Sequence, residues 1–145
     1  MAKSKAAQRT EDMVLALRNW QAIERESIEM TAQIMEETKN PLVRQIMEII
    51  RNDSVQHHRV QQFLIDTMIT APVNMSHEDL AEIWSKIEEH DETEKAAINA
   101  AKELREMTTD HVHKILLDYL LRDEEKHDTI LEQLDEFKKH LSKLS

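Results

Sequence analysis

The sequence predicts an all-helical protein, a four-helix bundle made of two similar helical hairpins. The composition is the first reason, because the 145 residues include no glycine, only two prolines and few aromatic residues, whereas strands and tight turns favour the opposite mixture. The second reason is that apolar residues recur at helical spacing through most of the chain. A chain of this length is suited to a single domain.

The first helix is predicted to begin near Thr10, a candidate N-cap, after a flexible arm formed by residues 1–9. It is predicted to end at Asn40, since asparagine tolerates the left-handed conformation that often closes a helix. Pro41 suits the first position of the next helix, because its missing N–H group would have no partner there. The second helix should run to about residue 69, and the short corner between the two helices predicts an antiparallel hairpin.

The third helix is predicted to begin at Ser76, which forms a capping-box pattern with Asp79. A second corner is expected at residues 107–110, where a threonine can cap and Asp110 suits the first turn of the fourth helix. That helix should continue to about residue 141. The link between the second and third helices, about ten residues long, could join adjacent ends or run nearly extended along the bundle.

The two halves of the chain align when one is shifted by the number of positions that separates Glu24 from Glu94. We call this shift the repeat offset. This repeat offset pairs Glu24 with Glu94 and His57 with His127. Other pairs are Leu17 with Ile87, Thr38 with Thr108, Ile50 with Leu120, Asp53 with Asp123, and Leu64 with Leu134. Because the agreement continues through two successive helices, the sequence indicates an internal duplication.

Ionisable residues lie on the apolar stripes of the predicted helices. His57 and His127 are each at the centre of such a stripe, and Glu24 and Glu94 lie within the stripes of the preceding helices. Each glutamate precedes its histidine in the chain, and the corner between their helices lies midway between the two residues. The glutamate and the histidine should therefore lie at similar levels along the axes of the paired helices. An isolated buried carboxylate is costly, and these groups therefore need mutual pairing, water or a metal ion.

A glutamate on one helix and a histidine with nearby carboxylates on the next, twice over, resembles the ferritin-like superfamily, particularly its rubrerythrin-type bundles. The resemblance covers nearly the whole chain. Glu124 and His127 match the Glu-x-x-His pair of that family. The resemblance implies that Glu24 and Glu94 are the single carboxylate ligands, that Glu124 bridges two ions, and that His57 and His127 are the terminal nitrogen ligands.

The first half departs from the family pattern, since Ser54 stands where the second glutamate is expected. Asp53, four residues before His57, could supply the missing carboxylate, as Asp123 could in the second half. Alternatively, these aspartates orient the histidines. His90, four residues before the glutamate of the second half, is a further candidate ligand.

The resemblance implies a non-haem iron or manganese protein with two ions, which oxidises or stores iron or reacts with dioxygen or peroxide. The chain has no cysteine and so lacks the rubredoxin-like electron donor of a rubrerythrin. It would therefore need an external reductant, or would store or sense metal. The alternative is a non-catalytic helical or dimerisation module, in which Glu24, His57, Glu94 and His127 form a buried network without any ion.

The charge of the chain bears on its partners. A formal net charge of −10 disfavours nucleic acid and anionic membrane surfaces and attracts cations. No run of about eighteen apolar residues is present, and we expect a cytoplasmic protein. A homodimer or a larger homo-oligomer is compatible with the sequence.

Overall fold

The computed structural model describes residues 2–144, and every regular element in this range is a helix. The elements are α1 (Lys5–Glu37), α2 (Pro41–Ile69), α3 (His77–Ala81), α4 (Trp84–Met107) and α5 (His111–Leu144). The all-helical prediction is thus confirmed. The chain divides into two compact units between Val73 and Asn74. In the first unit α1 packs on α2, and in the second α4 packs on α5 with α3 beside them.

The start of α1 differs from the prediction. The helix begins at Lys5, and the hydroxyl of Ser4 caps it by accepting a hydrogen bond from the N–H of Ala7 at 3.1 Å. Thr10 lies inside the helix, where its hydroxyl donates to the carbonyl of Ala6 at 3.1 Å. The predicted N-cap at Thr10 is therefore wrong, and the end of the predicted arm is helical. The physical reason is that Ser4 provides a cap further towards the N-terminus.

Asn40 has a different role from the one predicted. The first helix ends at Glu37, and Thr38 has an extended backbone with φ −83° and ψ 142°. The side-chain oxygen of Asn40 accepts from the N–H groups of the second and third residues of α2, at 2.9 and 3.2 Å. Asn40 is therefore the N-cap of α2, and Pro41 occupies the first helical position as predicted. No described residue has a positive φ.

The capping box at the start of the second unit is confirmed. The N–H of Asp79 donates to the hydroxyl of Ser76 at 3.1 Å, and the N–H of Ser76 donates to the carboxylate of Asp79 at 2.9 Å. The predicted third helix is nevertheless interrupted, because α3 has only five residues and α4 begins at Trp84. Between them the N–H of Ile83 bonds to the carbonyl of Leu80 at 3.2 Å, three residues back.

The second corner repeats the first. The hydroxyl of Thr108 accepts from the N–H of Asp110 at 3.2 Å, and the hydroxyl of Thr38 accepts from the N–H of Asn40 at 3.1 Å. The carboxylate of Asp110 accepts from the N–H of His113 at 3.1 Å, so Asp110 caps α5. The repeat offset therefore pairs residues with the same structural role at both corners.

Much of the buried surface inside each hairpin is polar. The buried apolar residues in the described range are Ile65, Leu80, Trp84 and Ala101, and the buried polar residues are Gln21, Glu24, Thr31, Ser54, Gln61 and Glu94. The contact between paired helices thus brings carboxylates and hydroxyls out of water. Within residues 2–144, no helix is long and apolar enough to cross a membrane.

Candidate metal centre

Three predicted ligands come together in the second unit. Glu94 lies on α4, and Glu124 and His127 lie on α5. Residues three apart on a helix face the same way, so Glu124 and His127 both point towards α4. One ligand atom from each of the three side chains lies within 4.8 Å of the others. Glu94 is buried, Glu124 is partly buried and His127 is more open to solvent.

The imidazole of His127 lies between carboxylates. Its Nδ1 is 3.4 Å from Oε2 of Glu94 and 3.7 Å from Oε2 of Glu124. Its Nε2 is 3.6 Å from Oδ2 of Asp123. Asp123 therefore faces the nitrogen that points away from the two glutamates. This position suits the predicted orienting role of Asp123 better than direct ligation.

His90 contacts the same buried glutamate from the other side. Its Nε2 is 2.8 Å from Oε1 of Glu94, whereas His127 lies near Oε2. Within the described residues, the ion-pair partners of Glu94 are these two histidines, so this carboxylate has no permanently charged lysine or arginine beside it.

The side chains of Glu94 and Glu124 interact directly. The hydrogen bond between them lowers the pKa of Glu94 and raises the pKa of Glu124, and burial raises the pKa of Glu124 further. Two carboxyl groups this close titrate as a unit. A divalent cation bound between them would relieve their mutual repulsion.

A second pair of carboxyl groups lies about one helical turn away. A hydrogen bond between Asp91 and Asp128 lowers the pKa of Asp91 and raises the pKa of Asp128. The Nζ atom of Lys95 lies 3.1 Å from Oδ2 of Asp91. Unlike Glu94, Asp91 therefore has a fixed positive partner. Sequence reasoning missed this pair, because Asp128 falls outside the repeated Glu and His positions.

The first unit contains a similar but poorer arrangement. Nδ1 of His57 is 3.4 Å from Oε1 of the buried Glu24, which matches the distance from His127 to Glu94. In place of a second glutamate, the buried Ser54 hydroxyl donates to the hydroxyl of Ser27 at 3.0 Å. The cluster of Glu94, Glu124 and His127 has no counterpart among the described residues of this unit. Asp53 is thus not brought into a three-ligand group with Glu24 and His57.

The donor set of the second unit fits a divalent cation. Carboxylate oxygen and imidazole nitrogen suit iron, manganese and zinc ions. Such ions hold their ligands at roughly 2.0–2.2 Å, so ligands of one ion lie roughly 3–4 Å apart. A spacing of up to 4.8 Å requires only small side-chain adjustments. Three protein ligands would leave coordination positions open to water or a substrate.

The sequence predicted only part of the Ser54–Ser27 pair. It shows that Ser54 stands in the place of a glutamate, but it does not show that the Ser54 hydroxyl bonds to Ser27. The repeat offset pairs Ser27 with Ala97 and Ser54 with Glu124. Both members of the pair thus differ from their equivalents in the second half. Such a joint difference at two positions is the sequence signal that could have predicted their contact.

No family model, curated protein or solved structure compared with the chain matches it. The fold and the site define an all-helical protein that carries a group of carboxylates and histidine between two of its helices.

Proposed function

We propose that this chain is a ferritin-like metal-binding protein that holds divalent iron or manganese between its helices. The group of Glu94, Glu124 and His127 carries the proposal. It combines the two ligand types that these ions prefer. It also contains a buried carboxylate whose ion-pair partners in the described structure are histidines. A cation would satisfy this carboxylate more fully than a neutral imidazole can.

The proposal includes the association of the two hairpins as a four-helix bundle. The two units share local geometry, since equivalent Glu and His residues have the same 3.4 Å separation in both. The side chains of His57 and His127 are 55% and 49% exposed. Val60 and Ile130, three residues further along each helix, are also exposed. These exposed apolar residues support the association, because a bundle would cover them.

The residues of the second unit would have different roles at such a site. Glu94, Glu124 and His127 would bind the ion, and His90 and Asp123 would orient Glu94 and His127 through the contacts described above. Bound iron would supply redox chemistry with dioxygen or peroxide. The function would then be iron oxidation or storage, or a ferroxidase-type or peroxidase-type oxidoreductase activity.

The first experiment measures metal binding under anaerobic conditions. Ferrous iron or Mn²⁺ is titrated into the wild-type protein, and elemental analysis and thermal melting are recorded on the same samples. We expect bound metal and a melting temperature that rises with metal concentration, since a ligand of the folded state stabilises it. His127→Ala should lose both effects, whereas His140→Ala changes an exposed histidine outside the group and should retain them. A wild-type protein that neither binds nor is stabilised would refute the proposal.

The second candidate function is a non-catalytic helical module with a buried polar network. The neutral Ser54–Ser27 hydrogen bond favours it, because this buried pair is satisfied without an ion. In that case a chelator leaves the melting temperature unchanged and added metal does not raise it. The thermal melts described above therefore distinguish the two functions.

A further inference from the structure

The two halves of the chain differ at one position where the repeat predicts the same metal ligand in both. Ser54 occupies the position equivalent to Glu124 and is 5% exposed. Its hydroxyl donates to Ser27 at 3.0 Å, so the space between α1 and α2 holds a neutral hydroxyl pair. In the second unit the equivalents are Ala97 and Glu124. Ala97 has no polar side-chain atom, and Glu124 directs a carboxyl group at Glu94 instead.

The polar contacts about one helical turn away show the same difference between a neutral first unit and an acidic second unit. In the first unit Gln21 donates to the side chain of Gln62 at 3.0 Å and to the carbonyl of His58 at 3.3 Å. The equivalent of Gln21 in the second unit is Asp91, which pairs with Asp128. The equivalent of Gln62 is Glu132, so both amides of the first hairpin stand where the second has acidic residues.

The imbalance extends over the whole of each unit. Residues 1–73 contain nine basic and ten acidic residues, a net charge of −1, and residues 74–145 contain ten basic and nineteen acidic residues, a net charge of −9. The two values together account for the net charge of −10. A cation is therefore attracted mainly to the second unit, in which the three-ligand group also lies.

Two adjacent divalent ions of the ferritin-like kind would need one more glutamate than the repeated positions of this chain provide. Ferritin-like dinuclear sites use four glutamates and two histidines. With Ser54 in place of one glutamate, three remain, Glu24, Glu94 and Glu124. Three negative charges do not balance four positive charges, and a serine hydroxyl engaged with a second hydroxyl is a poor substitute ligand. The residues present therefore fit one ion and do not fit two.

We propose that the chain binds a single divalent cation, held by Glu94, Glu124 and His127 of the second hairpin, and that Ser54 prevents the first hairpin from holding a second ion. The inference rests on the proposed function, since it specifies how that metal site is filled. Glu24 and His57 then form a polar pair within the first hairpin and do not hold an ion of their own. This arrangement differs from the two ions that the ferritin-like resemblance implies.

The test counts ions and compares equivalent histidines. Anaerobic ferrous iron or Mn²⁺ is titrated into the full chain, and the number bound is read by native mass spectrometry and calorimetry. We expect about one ion per chain. His127→Ala should weaken binding by at least about 100-fold, and His57→Ala by less than about tenfold, the lower end for residues that only assist ligands.

The outcomes separate this inference from the proposed function. Two ions of comparable affinity, or an equal loss in His57→Ala and His127→Ala, would overturn the single-ion proposal while the metal-binding function stands. A wild-type chain that binds no metal would overturn both.

Variants at Ser54 test the role of this residue directly. Ser54→Ala removes the hydroxyl and should leave the stoichiometry at one ion, because Ser54 is not a ligand. Ser54→Glu restores the carboxylate and should allow a second, weaker ion to bind, which the electron paramagnetic resonance of Mn²⁺ would reveal as coupling between neighbouring ions. Loss of binding in Ser54→Ala would contradict the proposal. So would a well-folded Ser54→Glu chain that still binds one ion.

Discussion

At the scale of single residues, Glu94 is the centre of the candidate site. Its buried carboxylate is contacted by His90 through one oxygen and by His127 through the other, and its pKa is lowered by a hydrogen bond with the side chain of Glu124. Helical spacing and the repeat predicted that Glu94, Glu124 and His127 face inwards. The sequence could not predict how close these groups come, because this depends on distances between atoms of different helices.

Replacement of Glu124 by glutamine separates folding from metal binding. The amide of Glu124→Gln can donate a hydrogen bond to the neighbouring Glu94 carboxylate. We therefore expect the melting temperature without metal to change by less than about 3 °C, the shift typical of roughly 1 kcal/mol in a domain of this size. Metal affinity, measured by calorimetry, should fall at least about tenfold because a charged ligand is lost. A large loss of stability with unchanged affinity would contradict the role of Glu124 as a ligand.

His90 is expected to orient Glu94 without holding the ion itself. His90→Ala removes the contact at 2.8 Å and should reduce metal affinity by roughly tenfold, as expected for a partner that assists a ligand. His140→Ala is the matched control on the exposed surface. Calorimetric titration with Mn²⁺ measures both, and a loss as severe as that of His127→Ala would identify His90 as a direct ligand.

At the scale of helices and corners, local sequence signals predicted where the corners lie better than they predicted which helix each corner residue caps. Pro41 and the capping box of Ser76 and Asp79 were predicted correctly. Asn40 was assigned to the wrong helix, because asparagine is common both at the end and at the start of helices. The interruption before Trp84 has no glycine or proline to announce it. Leu80 and Trp84, on either side of it, are both buried, and Lys138 of α5 lies over the Trp84 ring at 4.6 Å, so packing explains the interruption better than local sequence.

The equivalent caps Asn40 and Asp110 should respond differently to pH. Asn40→Ala should cost about 1 kcal/mol of unfolding free energy at any pH, since an amide cap does not titrate. The hydrogen bond from the N–H of His113 lowers the pKa of Asp110. Its stabilisation is therefore present above the ordinary carboxyl pKa of about 3.9 and is lost as the pH falls through the lower folded value.

Urea unfolding of both cap variants at pH 7 and at pH 3 measures this difference. The Asp110→Ala penalty should shrink at the lower pH, whereas the Asn40→Ala penalty should not. Equal penalties of Asp110→Ala at both values would show that the Asp110 carboxylate does not stabilise α5.

At the scale of the whole molecule, the repeat and the uneven charge are the main features. The same corner and the same Glu–His distance occur in both units. The second unit carries nearly all of the net negative charge. The single domain predicted for residues 10–145 and the four-helix bundle stay predictions, and they require the two hairpins to unfold together.

A core substitution in one hairpin tests this cooperativity. Ile65 on α2 is 0% exposed, and Ile65→Ala should cost about 2–5 kcal/mol. If the hairpins form one bundle, hydrogen exchange should accelerate in α4 and α5 as much as in α1 and α2. Leu15→Ala changes an exposed residue and should leave exchange nearly unchanged. Unaltered protection of α5 in Ile65→Ala would show that the hairpins are independent.

The all-helical class, the two corners, the duplicated Glu and His positions and the concentration of negative charge in the second half can be read from the sequence alone. Most of these properties are local, because helical periodicity and capping depend on residues within a few positions of one another. The folded structure was needed to show that Ser54 bonds to Ser27, that His90 contacts Glu94, and that Glu124 joins Glu94 and His127 in one group. Such contacts depend on the rotation and axial shift of each helix against its neighbour, which residue spacing alone does not specify.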